Sequence, residues 1–560
     1  MWQTNQVEDY QFSELLPLGE KHYAARKLDG EVGTVSVQGK DFIEVEGNLL
    51  EDLAYEAFKE VNFYLRKSHL SQLSSILDDA EASNNDKFVA LDLLKNANVA
   101  AGQVLPMCQD TGTAVVFAKR GPQVLTDGED ERHISNGIYR AYRDLNLRYS
   151  QLSPVTLWEE SNTKNNLPAE IDIKLGKGAS YEFLFMAKGG GSANKSFLYQ
   201  ETKSILDEER MLDFLREKIQ SIGTAACPPY HLAVVIGGTT AEYALKTAKL
   251  ASAHYLDELP TEGGKLGNGF RDLDFEQKVF ELTQTIGFGA QFGGKYFCHD
   301  VRVVRLPRHN GSLPIAIAVS CSADRQVLAR IDSNGVFIEE LEHDPAQHLP
   351  EKGVTPTEAG SDSVEIDLTQ PMSGILGQLN GLGVGTRVLL TGPMIVARDI
   401  AHARMRELLN EGKELPDYIK NHPVYYAGPA KTPEGYVTGS FGPTTAGRMD
   451  TYVQQLQDAG GSLLMLAKGN RSSMVAKSCG ENGGFYLGTI GGPAALIAQD
   501  NIRSVEVIDH QDLGIEAIYK IEVERFPAFV VIDNQGNDFF RPDDRKLMSL
   551  GNTRLSKGSK

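Results

Sequence analysis

Apolar positions recur at helical spacing between residues 50 and 76: Leu50, Leu53, Ala54, Ala57, Phe58, Val61, Tyr64 and Leu65. Steps of three and four predict one long amphipathic helix. A second helix is predicted near residues 87–99. It runs into Leu105-Pro-Met-Cys-Gln-Asp-Thr-Gly. The run 114–118 is short and apolar throughout, as a buried strand would be. Residues 171–175 and 181–187 alternate around Gly176 and Gly178, the pattern of a hairpin. Residues 231–236 read as a strand and 240–252 as the helix after it. Further strands are expected at 301–306 and 315–319. Residues 1–46 are mixed and only weakly patterned.

Residues 342–363 are rich in Pro, Gly, Glu, Asp and Thr and carry no apolar period, which predicts a linker. Beyond it, strands and helices alternate. Residues 388–390 precede a helix over 398–409, and residues 463–466 precede a helical stretch around Met474. Late strands are expected at 505–508 and 529–532. Alternation of this kind predicts a β/α domain with a partly parallel sheet. The expected fold class is therefore α/β and α+β. A large N-terminal α+β domain (1–345) and a linker (346–365) precede a smaller C-terminal β/α domain (366–560).

The 560 residues allow about two to four domains, each large enough to bury a core. Net charge is −19, which disfavours nucleic acid and anionic membranes as partners. An anionic small substrate then requires cations gathered in one cleft. No apolar stretch reaches membrane-spanning length. Residues 1–9 are polar and show no secretory signal, so a cytoplasmic location is expected. Five cysteines in so large a chain do not form a disulfide framework.

Cys108, Cys227 and Cys321 share a setting. Each ends or follows an apolar segment and precedes small or turn-forming residues. They lie on three separate loops, without the compact spacing of a ferredoxin. Spacing alone leaves two readings, small buried hydrophobes or metal ligands. Cys298 and Cys479 read as core residues. Gly189-Gly190-Gly191 lacks the Gly-Lys-Ser/Thr ending of a phosphate loop, so it reads as a tight turn against a ligand.

Six long segments carry a resemblance. They are Met107-Cys-Gln-Asp-Thr-Gly-Thr, Lys188-Gly-Gly-Gly-Ser-Ala-Asn-Lys-Ser, Gly223-Thr-Ala-Ala-Cys-Pro-Pro-Tyr-His and Ser320-Cys-Ser-Ala-Asp-Arg in the first half. In the second half they are Gly392-Pro-Met-Ile-Val-Ala-Arg-Asp-Ile-Ala-His and Gly439-Ser-Phe-Gly-Pro-Thr-Thr-Ala-Gly-Arg-Met-Asp. In these segments, and over nearly its whole length, the chain resembles the class I fumarases, the iron–sulfur fumarate hydratases. The resemblance implies that Cys108, Cys227 and Cys321 ligate a 4Fe–4S cluster. Three protein ligands leave one iron open, as in catalytic zinc centres. An open iron can act as a Lewis acid on malate.

The resemblance also implies a set of carboxylate-binding groups: Arg148, Arg398, Arg448 and Lys468, with Gln109, Gly191 and His309. An Arg fork matches a carboxylate bidentately, and cations aimed at it stabilise the charge that develops there. For the base the family pattern points to Thr444 assisted by Asp110, the logic of a base-activated hydroxyl. The residues alone leave Thr444 an alternative role as a helix N-cap. They also leave Asp110 the option of acting directly. The implied activity is reversible hydration of fumarate to (S)-malate by a homodimer. The alternatives are a related hydro-lyase acting on tartrate, mesaconate or 2-methylmalate, or a non-enzymatic iron or oxygen sensor. The cluster-bearing loops come from the first domain and the cations of residues 398–468 from the second, so the site is expected where the domains meet.

Overall fold

The computed structural model describes residues 11–350 and 363–541. The polar segment 1–9 and most of the 346–365 linker lie outside the described residues.

Two mixed sheets build the first half. One runs in the order Ala25–Leu28, Gly335–Glu339, Gln326–Asp332, Tyr181–Lys188, Thr113–Arg120, Glu170–Leu175. The other runs Phe197–Glu201, Leu313–Ser320, Tyr230–Gly238, Cys298–Arg308, Phe270–Arg271. The two-residue period of a strand decides which core each side chain joins. Val116, Ala118, Phe183 and Phe185 pack under the helices Gly47–Phe63 and Asp130–Asp144. Their neighbours Val115, Phe117, Leu184 and Met186 face the other way, onto Ala233, Val235, Ala316 and Ala318 of the second sheet. Leu232, Val234 and Ile236 of that sheet point outward to the helices Glu208–Ile222 and Leu273–Gln284. The first half is thus helix, sheet, sheet, helix in layers, with the helix Ala241–Ala251 contributing to the middle core.

The second half holds a seven-stranded sheet. Val364–Asp367, Arg387–Val396, Val424–Tyr425, Leu464–Ala467 and Phe485–Gly488 pair in parallel. The long strand Ile518–Ile532 pairs antiparallel with both Phe485–Gly488 and Arg387–Val396, so five of the strands close into a ring. Two helices from early in the chain, Lys67–Asp78 and Asn84–Ala100, join this core rather than the first-half cores. Leu70, Leu73, Val89 and Leu93 bury there beside Ile366, Ile395 and Phe529.

The mixed class expected from the sequence is the one observed. Three details differ. The single helix expected over 50–76 is two, Gly47–Phe63 and Lys67–Asp78. Tyr64 is extended, and Leu65 bridges to Glu342, so the chain turns between cores without losing its apolar period. The strands Glu170–Leu175 and Tyr181–Lys188 exist but do not pair with each other. Thr113–Arg120 lies between them, parallel to one and antiparallel to the other. Alternation reports a buried face, not a partner. Among the described residues of the weakly patterned segment there are three strands, Ala25–Leu28, Gly33–Val37 and Lys40–Glu44.

Candidate active site

Cys108 lies on the loop between the helix Asn84–Ala100 and the strand Thr113–Arg120. Cys227 precedes the strand Tyr230–Gly238, and Cys321 follows the strand Leu313–Ser320. The adjacent antiparallel pairing of those two strands places His231 beside Ser320, which brings the two loops to one end of the sheet. Ser322 N–H donates to the Cys227 carbonyl at 2.9 Å. Cys227 feels the charge of both Cys321 and Cys108, and Cys108 feels that of Cys321. Lys468 Nζ reaches Cys227 Sγ at 2.9 Å from the second half of the chain.

Burial pushes the Cys227 thiol up to about 11, against the nearby Lys468 ammonium. Burial also opposes the charge on Lys468, but the thiols outweigh it and raise its pKa. Cys227 itself adopts φ 64°, and Gly491 presses on it so closely that a Cβ there would stand 2.3 Å from Sγ. Gln291 holds that contact: it accepts from Gly491 N–H and donates to the carbonyls of Gly491 and Pro228. Three buried or half-buried thiols from three loops, with a cation beside them, suit a multinuclear metal group. Among the described residues, the only His/Cys/Asp/Glu groups with ligand atoms all within 4.8 Å consist of His and Asp, so the thiols are spread too widely for one small ion.

Asp110 accepts from Gly190 N–H at 2.8 Å and from Gly112 N–H at 3.3 Å, and pairs with Arg148 at 3.1 Å. Burial disfavours its charge. Arg148, Arg325 and the Gly190 N–H outweigh burial and hold its carboxyl below the ordinary range. Arg398 stands at the N-cap of the helix Asp399–Asn410 and pairs with Glu516. Burial lowers its pKa, and Arg148 and Arg448 repel it further, so three guanidinium groups crowd one region. Arg448 forks onto Asp399 at 2.9 and 2.7 Å and donates to Thr444 Oγ1 at 3.1 Å. Gln109 Nε2 crosses to the Pro443 carbonyl at 3.1 Å. Gly191 lies against Lys468 and Ala225, where a Cβ would stand 3.6 Å from Nζ.

Residues 51–330 match the family model for fumarate hydratase, and residues 335–542 match the model for the fumarase C-terminus. The anaerobic class I fumarate hydratase of Escherichia coli is 55% identical over 94% of this chain and 96% of its own. Fumarate hydratase 2 of Leishmania major is 53% identical over 95% of this chain and 94% of its own. The chain belongs to the fumarate hydratase family. A putative L(+)-tartrate dehydratase subunit alpha of Methanocaldococcus jannaschii is 30% identical over 50% of this chain and 97% of its own.

Two details depart from the arrangement expected of a fumarate hydratase. Asp110 and Thr444 are not paired: Asp110 is bound to Gly190, Gly112 and Arg148, and Thr444 to Arg448. Nor does the Thr444 hydroxyl cap a helix; the N-cap position of the turn Ala446–Met449 is Thr445. His309 does not reach the thiols of its own chain. It sits exposed on the turn between Cys298–Arg308 and Leu313–Ser320, whereas Cys321 follows the far end of that second strand. Eight strand residues separate the two ends, about 26 Å at strand rise.

Four participants escaped the sequence reading. Arg325 is buried and feels the charges of Cys108, Cys321 and Asp110. It closes the Ser320-Cys-Ser-Ala-Asp-Arg segment, which was the available signal. Asp399 follows Arg398 in the same way. Glu516 and Gln291 lie in segments with no motif and carried no signal.

Proposed function

We propose that this chain is a fumarate hydratase that interconverts fumarate and (S)-malate, with Cys108, Cys227 and Cys321 holding a 4Fe–4S cluster. The observation that carries the reading is the gathering of three thiols from three loops next to Lys468. When bound, the cluster supplies an open iron position, a Lewis acid for a hydroxyl that would otherwise leave poorly.

The protein's own side chains do the rest. Arg148, Arg398 and Arg448 are the cations an acidic chain needs to hold a dianion, and they favour the transition state as charge flows into a carboxylate. Thr444 acts as the alkoxide, stabilised by the Arg448 N–H that donates to it; it accepts the C3 proton, becomes the neutral hydroxyl, and returns that proton to carbon in the hydration direction or to water in the other. Asp110 stays ionised and orients Arg148. Lys468 lies between the thiols and Gly191 and excludes bulk water there. Arg325 balances thiolate charge from within the protein.

The partner is a small dicarboxylate, and the location is the cytoplasm. Among the described residues no helix is long and apolar enough to cross a membrane. We take the working unit as a homodimer, whose second copy is the source of His309 for a site its own chain does not bring it to. The partial match to a tartrate dehydratase subunit keeps a second reading, a related hydro-lyase. Turnover of malate, tartrate and mesaconate by anaerobically reconstituted protein separates them. Malate is expected to give the highest kcat/KM, and a preference for tartrate or mesaconate would reverse the assignment.

A further inference from the structure

His69, His231, His254 and His299 cluster beneath the Cys321 loop, and the chemistry above uses none of them. His69 Nδ1 lies 2.9 Å from His231 Nε2, and His69 Nε2 lies 3.1 Å from the Ser322 carbonyl oxygen. His231 Nδ1 lies 3.0 Å from Asp300 Oδ1, which His254 Nε2 approaches to 3.2 Å. His299 packs edge-on against His69.

These contacts fix the protons. A carbonyl oxygen only accepts, so His69 Nε2 carries hydrogen and donates to Ser322. The Asp300 carboxylate is bound to His231, which places the positive charge of the pair there, so His69 Nδ1 is a lone pair and accepts from His231 Nε2–H. Asp300 accepts from Gln72 Nε2 at 2.9 Å and lies 3.4 Å from the Arg302 guanidinium, so it is a carboxylate. His231 Nδ1–H therefore donates to it as well. With both ring nitrogens donating, His231 is an imidazolium, and Asp324 supplies a second counter-charge 3.8 Å from its Nε2. Burial opposes that charge, but Asp300 and Asp324 outweigh burial and raise the pKa. Burial and the His231 charge push His69 down to about 4, which keeps it neutral.

His69, His231 and Asp324 are also spaced closely enough to suggest a metal ion. The 2.9 Å contact between the two imidazoles argues against it. Two nitrogens on one tetrahedral ion at about 2.1 Å stand about 3.4 Å apart. A hydrogen bond accounts for the shorter separation.

The Ser322 backbone is what this chain of contacts acts on. His69 holds its carbonyl, and its N–H holds the Cys227 carbonyl. The two peptides that flank the Ser322 Cα therefore tie the Cys321 loop to the Cys227 loop on one side and to His69 on the other. We propose that His69 is the positioning residue of these two loops, and that the chain Asp300, His231, His69, Ser322 sets the spacing of the Cys321 and Cys227 thiols. The proposal rests on the cluster reading above.

The test compares wild type, His69→Leu and His69→Gln, each reconstituted anaerobically with iron and sulfide. The readout is the rate at which an added chelator removes iron, with the melting temperature of the iron-free chain as control. Supporting groups behind metal ligands are worth about 10–100-fold in metal affinity, so His69→Leu is expected to release iron at least about tenfold faster. His69→Gln retains a donor for Ser322 and an acceptor for His231, and is expected to stay near the wild-type rate. Equal rates in wild type and His69→Leu overturn the proposal. So does a His69→Gln rate as fast as that of His69→Leu, because lost packing then explains both. If His69→Leu is recovered unfolded, Asp300→Asn at the partly exposed end of the chain takes its place. Faster release supports the proposal, and an unchanged rate overturns it. A wild-type chain that takes up no iron removes the cluster reading itself, and the positioning role with it.

Discussion

Among the described residues, the Thr444 hydroxyl has one polar side-chain contact, the Arg448 N–H, and it lies on the loop whose backbone meets Lys468. Removing a positioned proton acceptor slows catalysis about 10²–10⁴-fold. Thr444→Val is therefore expected to lower kcat by that order with little change in KM, read from the rise of fumarate absorbance. Thr444→Ser is expected to keep most of the rate. Asp110 gives a pH prediction. Its folded pKa is depressed, so its charge stabilises the fold fully above the unfolded value of about 3.9. That contribution is lost as pH falls through the lower folded value. Melting curves of wild type and Asp110→Asn should differ at neutral pH, begin to converge as pH falls below about 3.9, and meet only below the depressed folded value. At this scale Arg148 and Lys468 came only through the family resemblance, whereas the three thiols, Arg398 and Arg448 were legible because each sits in a long motif. Their partners were less so. That Asp110 would bind Gly190 and Arg148 rather than Thr444 depends on loop geometry, which residue identity does not encode.

Helices and strands with a clear period were found close to where the sequence put them. The helix Asn84–Ala100 begins at Ser83, whose hydroxyl accepts from Asp86 N–H while Asp86 accepts from Ser83 N–H. Ser83→Ala is expected to cost about 1 kcal/mol, measurable by urea unfolding. Periodicity failed where two cores share one pattern. The break at Tyr64 and the insertion of Thr113–Arg120 between two alternating strands both keep apolar faces inward. The loops between elements hold the site through buried amides. Asn96 accepts from Ala495 and Leu496 N–H and donates to the Met107 carbonyl, next to Cys108. Asn96→Leu leaves three buried backbone groups without that partner and should destabilise by about 1–3 kcal/mol per group at most. The expected signs are a lower urea midpoint and faster iron loss. A variant as stable as wild type would show that the Cys108 loop is held by packing alone.

The whole molecule divides its sheets between the two halves of the chain but not its cores. Helices from residues 67–100 pack with the second-half sheet, so the halves are joined through the core as well as through the site. Pattern could announce the sheets; it could not announce which helices would cross over. The position of His309 makes a prediction at this scale. If a second copy supplies it, mixing His309→Ala and Thr444→Ala chains, each nearly inactive, produces heterodimers with one intact site. Equal mixing should restore about a quarter of wild-type activity by the statistics of a twofold dimer. No recovery would place both residues in one chain's site or remove His309 from it.

On the proposed function, three thiols hold a cluster with one iron left open to a dicarboxylate. Anaerobic iron analysis with Mössbauer spectroscopy, with and without malate, tests it most directly. About four iron atoms per chain are expected, one of them with a signal that malate shifts, and both are expected to be lost in Cys108→Ser, Cys227→Ser or Cys321→Ser. An iron-free chain that hydrates fumarate at full rate would contradict it.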